Sequence, residues 1–365
     1  MLEEMPKAEL HLHLEGALPP GTVLQLARRN GLTDLLPGDN EDAIARWFVF
    51  QHFYHFMDVV RTIKNLLRTA EDFALAVYAA GQELAAQRAR YAEITVTPYT
   101  YTGFLKGGVT IDMILSGLEA GRQQVLQDFG IELRWIFDIP RNRAFADYHN
   151  GGDYVPGAAE RTLEFALQGQ DSGVIGLGLG GNEVNAPPAP FAPVFAQAKR
   201  YGLLSVPHAG ESEGAASVWG AIDDLQADRV GHGVRAIEDS RLIEALAARQ
   251  IPLEINLTSN VYLNFFPRLA EHPLPQLDQA GVLVTVNSDD PTLIGTTLSR
   301  EYQLLVDSFG YAPADVIRIA RNAFTASGAD ATTKTRLLVE FDGWAAPHLT
   351  PPPPLHSMER GSEDR

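Results

Sequence analysis

Two histidines near the start of this chain are spaced to act together. They lie in Ala8-Glu9-Leu10-His11-Leu12-His13-Leu14-Glu15-Gly16. Residues two apart on a strand point to the same face, so a strand here offers two imidazoles to one ion. An isolated His-x-His is more often a pair of ordinary polar residues. Here, further groups of the same kind follow strand-like runs later on. They are His208-Ala209-Gly210-Glu211, Arg229-Val230-Gly231-His232-Gly233, and Val286-Asn287-Ser288-Asp289-Asp290-Pro291. Taken singly, His208 reads as a satisfied histidine, Glu211 as a loop or helix-start acid, and Asp289-Asp290 as a cap. His232, between two glycines, reads as a turn histidine. Taken together, three histidines and a carboxylate make an all-nitrogen-and-oxygen ligand set. Such a set suits one catalytic zinc ion with an open position for water.

Elements that could bring these groups to one rim are written in the hydrophobic pattern. The first strand runs over 8–13. Seven more apolar runs follow, at 90–97, 132–138, 174–179, 203–208, 229–232, 252–257 and 282–287. Helical periodicity separates them, as in 191–201, 215–226, 239–249 and 274–281. Eight strands alternating with helices predict an α/β fold, a (β/α)8 TIM barrel. Active sites in such barrels lie at the C-terminal ends of the strands, where the unusual polar residues fall. The stretch 39–88 is helical and aromatic. It reads as an insertion after strand one, mostly extra core, with Phe50, Phe53 or Phe56 available to face an aromatic ligand. Helices from about Leu298 close the outside. The expected organisation is one domain over 1–346 and a proline-rich, poorly ordered tail over 347–365.

Composition narrows the functions further. A formal net charge of −17 argues against nucleic acid or an anionic membrane surface as partner. There is no cysteine, so thiolate metal sites and disulfides are excluded. No apolar run reaches the roughly 18 residues of a membrane span. The N-terminus lacks the basic and apolar regions of a secretory signal, which gives a cytoplasmic expectation. Asn256-Leu257-Thr258 matches a glycosylation pattern by chance on this reading.

The motifs, in this order and with Thr258-Ser259-Asn260, resemble the adenosine deaminases of the metal-dependent amidohydrolase superfamily. The likeness runs from Pro6 to about Phe324. It implies one zinc ion per chain on His11, His13, His208 and Asp289. It implies that Glu211 exchanges a proton with N1 of a 6-aminopurine, and that His232 orients or deprotonates the attacking water. Asp290 would meet N7, and the backbone of Gly181 would meet N3. His13 and Glu15 would line the substrate side. Binuclear relatives usually carry a lysine at the end of strand four, where this chain has Gly178-Leu179-Gly180-Gly181-Asn182-Glu183; one metal is expected.

The resemblance is looser around the sugar. Many adenosine deaminases have an aspartate where Glu15 stands, often another where Asn182 stands, and Cys-Pro in place of Asn256-Leu257. Adenosine is the first expectation for substrate. Free adenine and a 5′-extended adenosine such as 6-amino-6-deoxyfutalosine are the alternatives, and a non-catalytic purine-binding barrel is a remote one. AMP is disfavoured because no basic cluster for a phosphate is evident. Replacing Glu211 by Gln is expected to keep the metal and abolish most turnover. A kcat near that of the parent protein, with metal content unchanged, would remove the assigned proton-transfer role.

Overall fold

The computed structural model describes residues 1–50 and 53–349. Its centre is a single sheet of eight parallel strands in the order of the sequence. These are β1 (Lys7–His13), β2 (Ala89–Val96), β3 (Glu132–Pro140), β4 (Val174–Gly180), β5 (Leu204–Ala209), β6 (Val230–His232), β7 (Leu253–Ile255) and β8 (Val284–Val286). Every apolar run expected as a strand is one, with ends displaced by at most two residues.

The sheet closes next to the predicted site. A parallel bridge joins Leu12 to Asp289, just beyond β8. The amide of His13 donates to the Asp289 carbonyl at 2.9 Å, and the amide of Asp289 donates to the His11 carbonyl at 3.0 Å. Lower on the same seam, the Leu10 amide donates to Asn287 Oδ1 at 3.0 Å. The backbone that shuts the barrel therefore also carries two histidines and an aspartate.

Helices form the outer layer, burying their apolar faces against the strands or against neighbouring helices. Three helices of the insertion, Glu41–Trp47, Phe53–Leu66 and Ala70–Ala86, precede β2. The last opens on a capping box between Thr69 and Asp72. Val59, Ile63, Leu66 and Leu67 are buried in the main core, so most of this insertion is core as expected. Phe56 is buried too, and Phe50 packs edge-on against it at 5.2 Å and against Tyr262 at 6.0 Å. These rings meet one another and the segment after β7. The side chain of Phe53 lies outside the described residues. The final helix, Ala331–Leu349, continues through Pro347, so the expected tail begins later than 347; residues 350–365 lie outside the described residues. Among the described residues no helix is long and apolar enough to cross a membrane.

The barrel interior is not purely apolar. Glu93 on β2, Arg229 at the start of β6 and Glu254 on β7 are all essentially buried. Arg229 donates from Nη2 to Glu93, from Nε to Glu254 Oε1 at 2.6 Å, and from Nη1 to the Ala326 carbonyl at 3.0 Å. Tyr91 adds a hydrogen bond to Glu93 at 2.9 Å. The guanidinium spans the barrel between two carboxylates, and removing it leaves two uncompensated buried charges. Arg229→Leu is expected to lower the unfolding free energy by about 3–5 kcal/mol. Urea denaturation of metal-free protein measures this. A loss below about 1 kcal/mol, the scale of an exposed pair, would show that the charges are relieved some other way.

Candidate active site

At the C-terminal rim, the structure brings together every residue expected to hold a metal. His11 and His13 leave β1 on one face, His208 ends β5, and Asp289 follows β8. The His13 and His208 Nε2 atoms face each other at 3.2 Å. Asp289 Oδ1 lies 3.4 Å from His11 Nε2 and 3.4 Å from His13 Nε2. Ligand atoms of these residues fall into groups within 4.8 Å of one another: His11, His13 and His208 in one, and His11, His232 and Asp289 in another. His11 Nε2 is buried with no hydrogen-bond partner.

These observations fit a metal ion. Tetrahedral bonds of roughly 2.0–2.1 Å place ligand atoms about 3.3–3.4 Å apart, close to the separations here. Two imidazole nitrogens in contact and a third left orphaned make a poor hydrogen-bond set. They make a good ligand set when the rings are neutral. Burial drives His13 down to about 4 and His208 well below the ordinary histidine range, with neighbouring histidines adding to the effect on each. Burial opposes ionisation of Asp289, but the His11 ring, with Nε2 3.4 Å away, and the charges of His232 and His13 hold its carboxyl well below the usual range.

The local chain is shaped for this gathering. His232 and Asp289 both have left-handed backbone, φ 61° in each case, uncommon for residues with a side chain. Gly231 makes room for His11: a Cβ there would sit 2.8 Å from His11 Cε1. Gly16 makes room for Asp290, whose Oδ1 would be 2.0 Å from an added Cβ. Asp290 precedes the short helix Pro291–Ile294 without capping it through its side chain. The capping alternative for that residue is thereby removed. Burial pushes its carboxyl well above the usual range, and the charges of Asp289 and Glu15 push it further.

Glu211 and His232 lie beside the ligand cluster, with 3.6 Å between Glu211 Oε1 and His232 Nε2. Burial raises the Glu211 carboxyl well above its ordinary value, reinforced by the charges of Asp289 and Glu183. A carboxyl so placed keeps its proton near neutrality and can act as an acid. Gly181 follows β4 with φ 96° and is exposed, so its backbone is open to a ligand. Glu15 is buried. It accepts from the Tyr101 hydroxyl, and Lys64 Nζ stands 3.7 Å away.

Several residues here were given no role in the sequence reading. Glu254 accepts from His11 Nδ1 at 2.9 Å, linking the first histidine to the Arg229 pair. Ser259 donates to Asp289 Oδ2 at 2.6 Å. Glu183 gathers the loop that carries Glu211: it accepts from the amides of Gly210, Glu211 and Ser212 at 2.8–2.9 Å and from the Ser217 hydroxyl. Asp138, ending β3, has Oδ2 3.6 Å from His208 Nδ1. A Cβ on Gly178 or Gly180 would fall about 2 Å from its carboxylate oxygens (1.9 and 2.1 Å), so both glycines accommodate it. A usable signal was present: Glu254 and Asp138 are acids inside otherwise apolar runs, where an unpaired charge is costly.

A parallel barrel with a histidine–aspartate cluster and an adjacent protonated glutamate defines a metal-type hydrolase site at the strand ends. The chain belongs to the adenosine deaminase family, whose family model it matches over residues 6–344. It is a hydrolase acting on carbon–nitrogen bonds of amidines. Aminodeoxyfutalosine deaminase of Streptomyces avermitilis is 38% identical over 95% of this chain and 93% of its own length. The crystal structure of adenine deaminase from Arthrobacter aurescens superposes with a TM-score of 0.84 at 31% identity, covering 94% of this chain and 99% of that one. A Burkholderia ambifaria amidohydrolase with bound zinc gives 0.82 at 25% identity, covering 95% and 93%.

Glu254 fixes the tautomer and orientation of the His11 ring and makes its other nitrogen a stronger ligand. Glu254→Gln is therefore expected to weaken metal binding about 10–100-fold. Competition with a chelator measures it. Unchanged affinity would show that His11 does not depend on this carboxylate.

Proposed function

We propose that this chain binds one zinc ion through His11, His13, His208 and Asp289 and hydrolytically deaminates C6 of a 6-aminopurine. The observation that carries the reading is the buried Glu211 carboxyl, raised by burial, beside the converging ligand atoms of His11, His13, His208 and Asp289. A zinc ion held by these four residues would lower the pKa of a water to about 7. Attack at C6 breaks ring aromaticity and loads electron density onto N1. Glu211 supplies the proton N1 then needs. Asp290, neutral and buried, donates a hydrogen bond to N7, and the Gly181 amide donates to N3. Ammonia leaves and a 6-oxopurine remains.

For the substrate we favour an adenosine extended at the 5′ position, 6-amino-6-deoxyfutalosine, over adenosine, the first expectation from sequence. Two observations support this. The Glu15 carboxylate is already engaged by Tyr101 and Lys64, so it is poorly placed to bind a ribose 5′-hydroxyl as a shorter aspartate would. The Streptomyces avermitilis relative, similar over nearly its whole length, is named for that substrate. Adenine is the second reading, favoured by the likeness to the Arthrobacter aurescens enzyme. Partners on this reading are small purines, in a cytoplasmic protein.

Ultraviolet-monitored deamination of zinc-loaded protein should give a higher kcat/KM for 6-amino-6-deoxyfutalosine than for adenosine, adenine, 5′-deoxyadenosine or methylthioadenosine. Adenine as best substrate would replace the first reading by the second. Bound purine with no ammonia released from any compound would leave only the binding-barrel alternative.

A further inference from the structure

His232 is backed by a chain of hydrogen bonds whose direction can be read without reference to the metal. It begins at the Leu274 amide, which lies 3.2 Å from His272 Nδ1. A backbone N–H can only donate, so His272 Nδ1 carries no proton. His272 is 3% exposed, and burial followed by the nearby His232 holds it down at about 3, so the ring is neutral. Its proton is therefore on Nε2. That nitrogen is 3.1 Å from Asn260 Oδ1, an acceptor.

Asn260, fully buried, then has its amide nitrogen on the other side, 3.2 Å from His232 Nδ1. The opposite orientation of the amide would set an N–H against the His272 N–H. A second amide acts independently. Asn256 Nδ2 is 3.2 Å from the Glu254 carbonyl, which can only accept, and 3.3 Å from the same His232 Nδ1. Two N–H groups converge on one ring nitrogen, and that nitrogen must be the bare one.

We propose that His272, through Asn260, is a positioning residue that fixes the tautomer of His232, holding its proton on Nε2. That nitrogen is the one turned to Glu211 Oε1 and the ligand cluster. His232 then enters the reaction as a hydrogen-bond donor. It cannot take a proton at Nε2 unless it first gives one up, so it orients the attacking water and the task of accepting its proton falls to a carboxylate. Of the two roles the family resemblance leaves open for this residue, orienting and deprotonating, the relay selects the first. His272 lies outside the quoted motifs and contributes nothing to the ligand cluster, yet it sets the state of a residue inside it.

The tautomer of His232 is a property of the protein alone and is read without turnover. Long-range 15N–1H correlation spectra of histidine-labelled full-length protein, metal-free and zinc-loaded, report each ring nitrogen as bare or protonated. Loss of signals in His232→Gln assigns the ring. The expected result is a protonated Nε2 and a bare Nδ1 in both forms. Asn260→Asp supplies the reversal: a carboxylate can only accept, so Nδ1 of His232 gains a proton. His272→Phe breaks the relay, leaves Asn256 alone to hold the tautomer, and should weaken the preference while lowering kcat by up to about 100-fold, the scale of a misplaced reacting group. Metal content should be unchanged in it. A proton on Nδ1 in the parent protein overturns the proposal, as does an Asn260→Asp spectrum with His232 unmoved. The parent spectrum decides even if a variant fails to fold, and the substrate panel can fail without touching it.

Discussion

The rest of this structure depends on a buried line of charge that crosses the barrel: Glu93, Arg229, Glu254 and His11. Each carboxylate in that line would be prohibitively costly alone in an apolar interior. Arg229 satisfies both acids at once, and its fixed fork makes it better suited to this than lysine. Glu254 then has one oxygen for the guanidinium and the other for His11. The line ties strands two, six, seven and one together through side chains, while the backbone ladder ties neighbours only. Its far end is His11, a proposed metal ligand. Stability and ligand orientation are thus one network, and a change in either is felt in the other.

Around the rim, local backbone rules are broken where the candidate chemistry is. His232 and Asp289 sit in left-handed conformations, each costing of order 1–3 kcal/mol. The cost at Asp289 is met within a few ångströms. Its amide and carbonyl close the barrel against β1, and Ser259 holds its carboxylate. Gly16 and Gly231 allow contacts that no other residue would permit. Sequence reasoning that expects capping acids and turn histidines at such places is following the average case, and these positions depart from it for a reason.

How much was legible follows from the range of each interaction. The eight strands were legible because parallel strands covered on both faces read as continuous apolar runs. The gathering of His11, His13, His208 and Asp289 was legible because the barrel topology sends every strand end to one rim. Glu254, Asp138 and Glu183 were not, because each acts on a partner two or more strands or a loop away, and nothing in the local sequence names that partner. A proline-rich tail was expected from Pro347, and the last helix continues two residues past that proline. Tyr101 and Lys64 meet Glu15 from separate segments. The sugar-side departure could therefore be seen in the sequence while its physical content could not.

The four clustered rings also differ in what stands behind them, and that difference bears on which of them bind metal. A carboxylate behind a ring nitrogen accepts its proton and makes the opposite nitrogen a better electron-pair donor. An amide N–H behind it does the reverse, drawing on the lone pair and leaving the proton on the opposite nitrogen. Glu254 stands behind His11 at 2.9 Å. Asp138 stands behind His208 at 3.6 Å, too far for a hydrogen bond, with both His208 Nδ1 and Asp138 Oδ1 otherwise unpartnered. Two amides stand behind His232. By that criterion His11 suits the proposed ligand role and His232 does not, although His232 falls within ligand range of His11 and Asp289. Proximity alone would allow either assignment; the hydrogen-bond chemistry on the far side of each ring separates them.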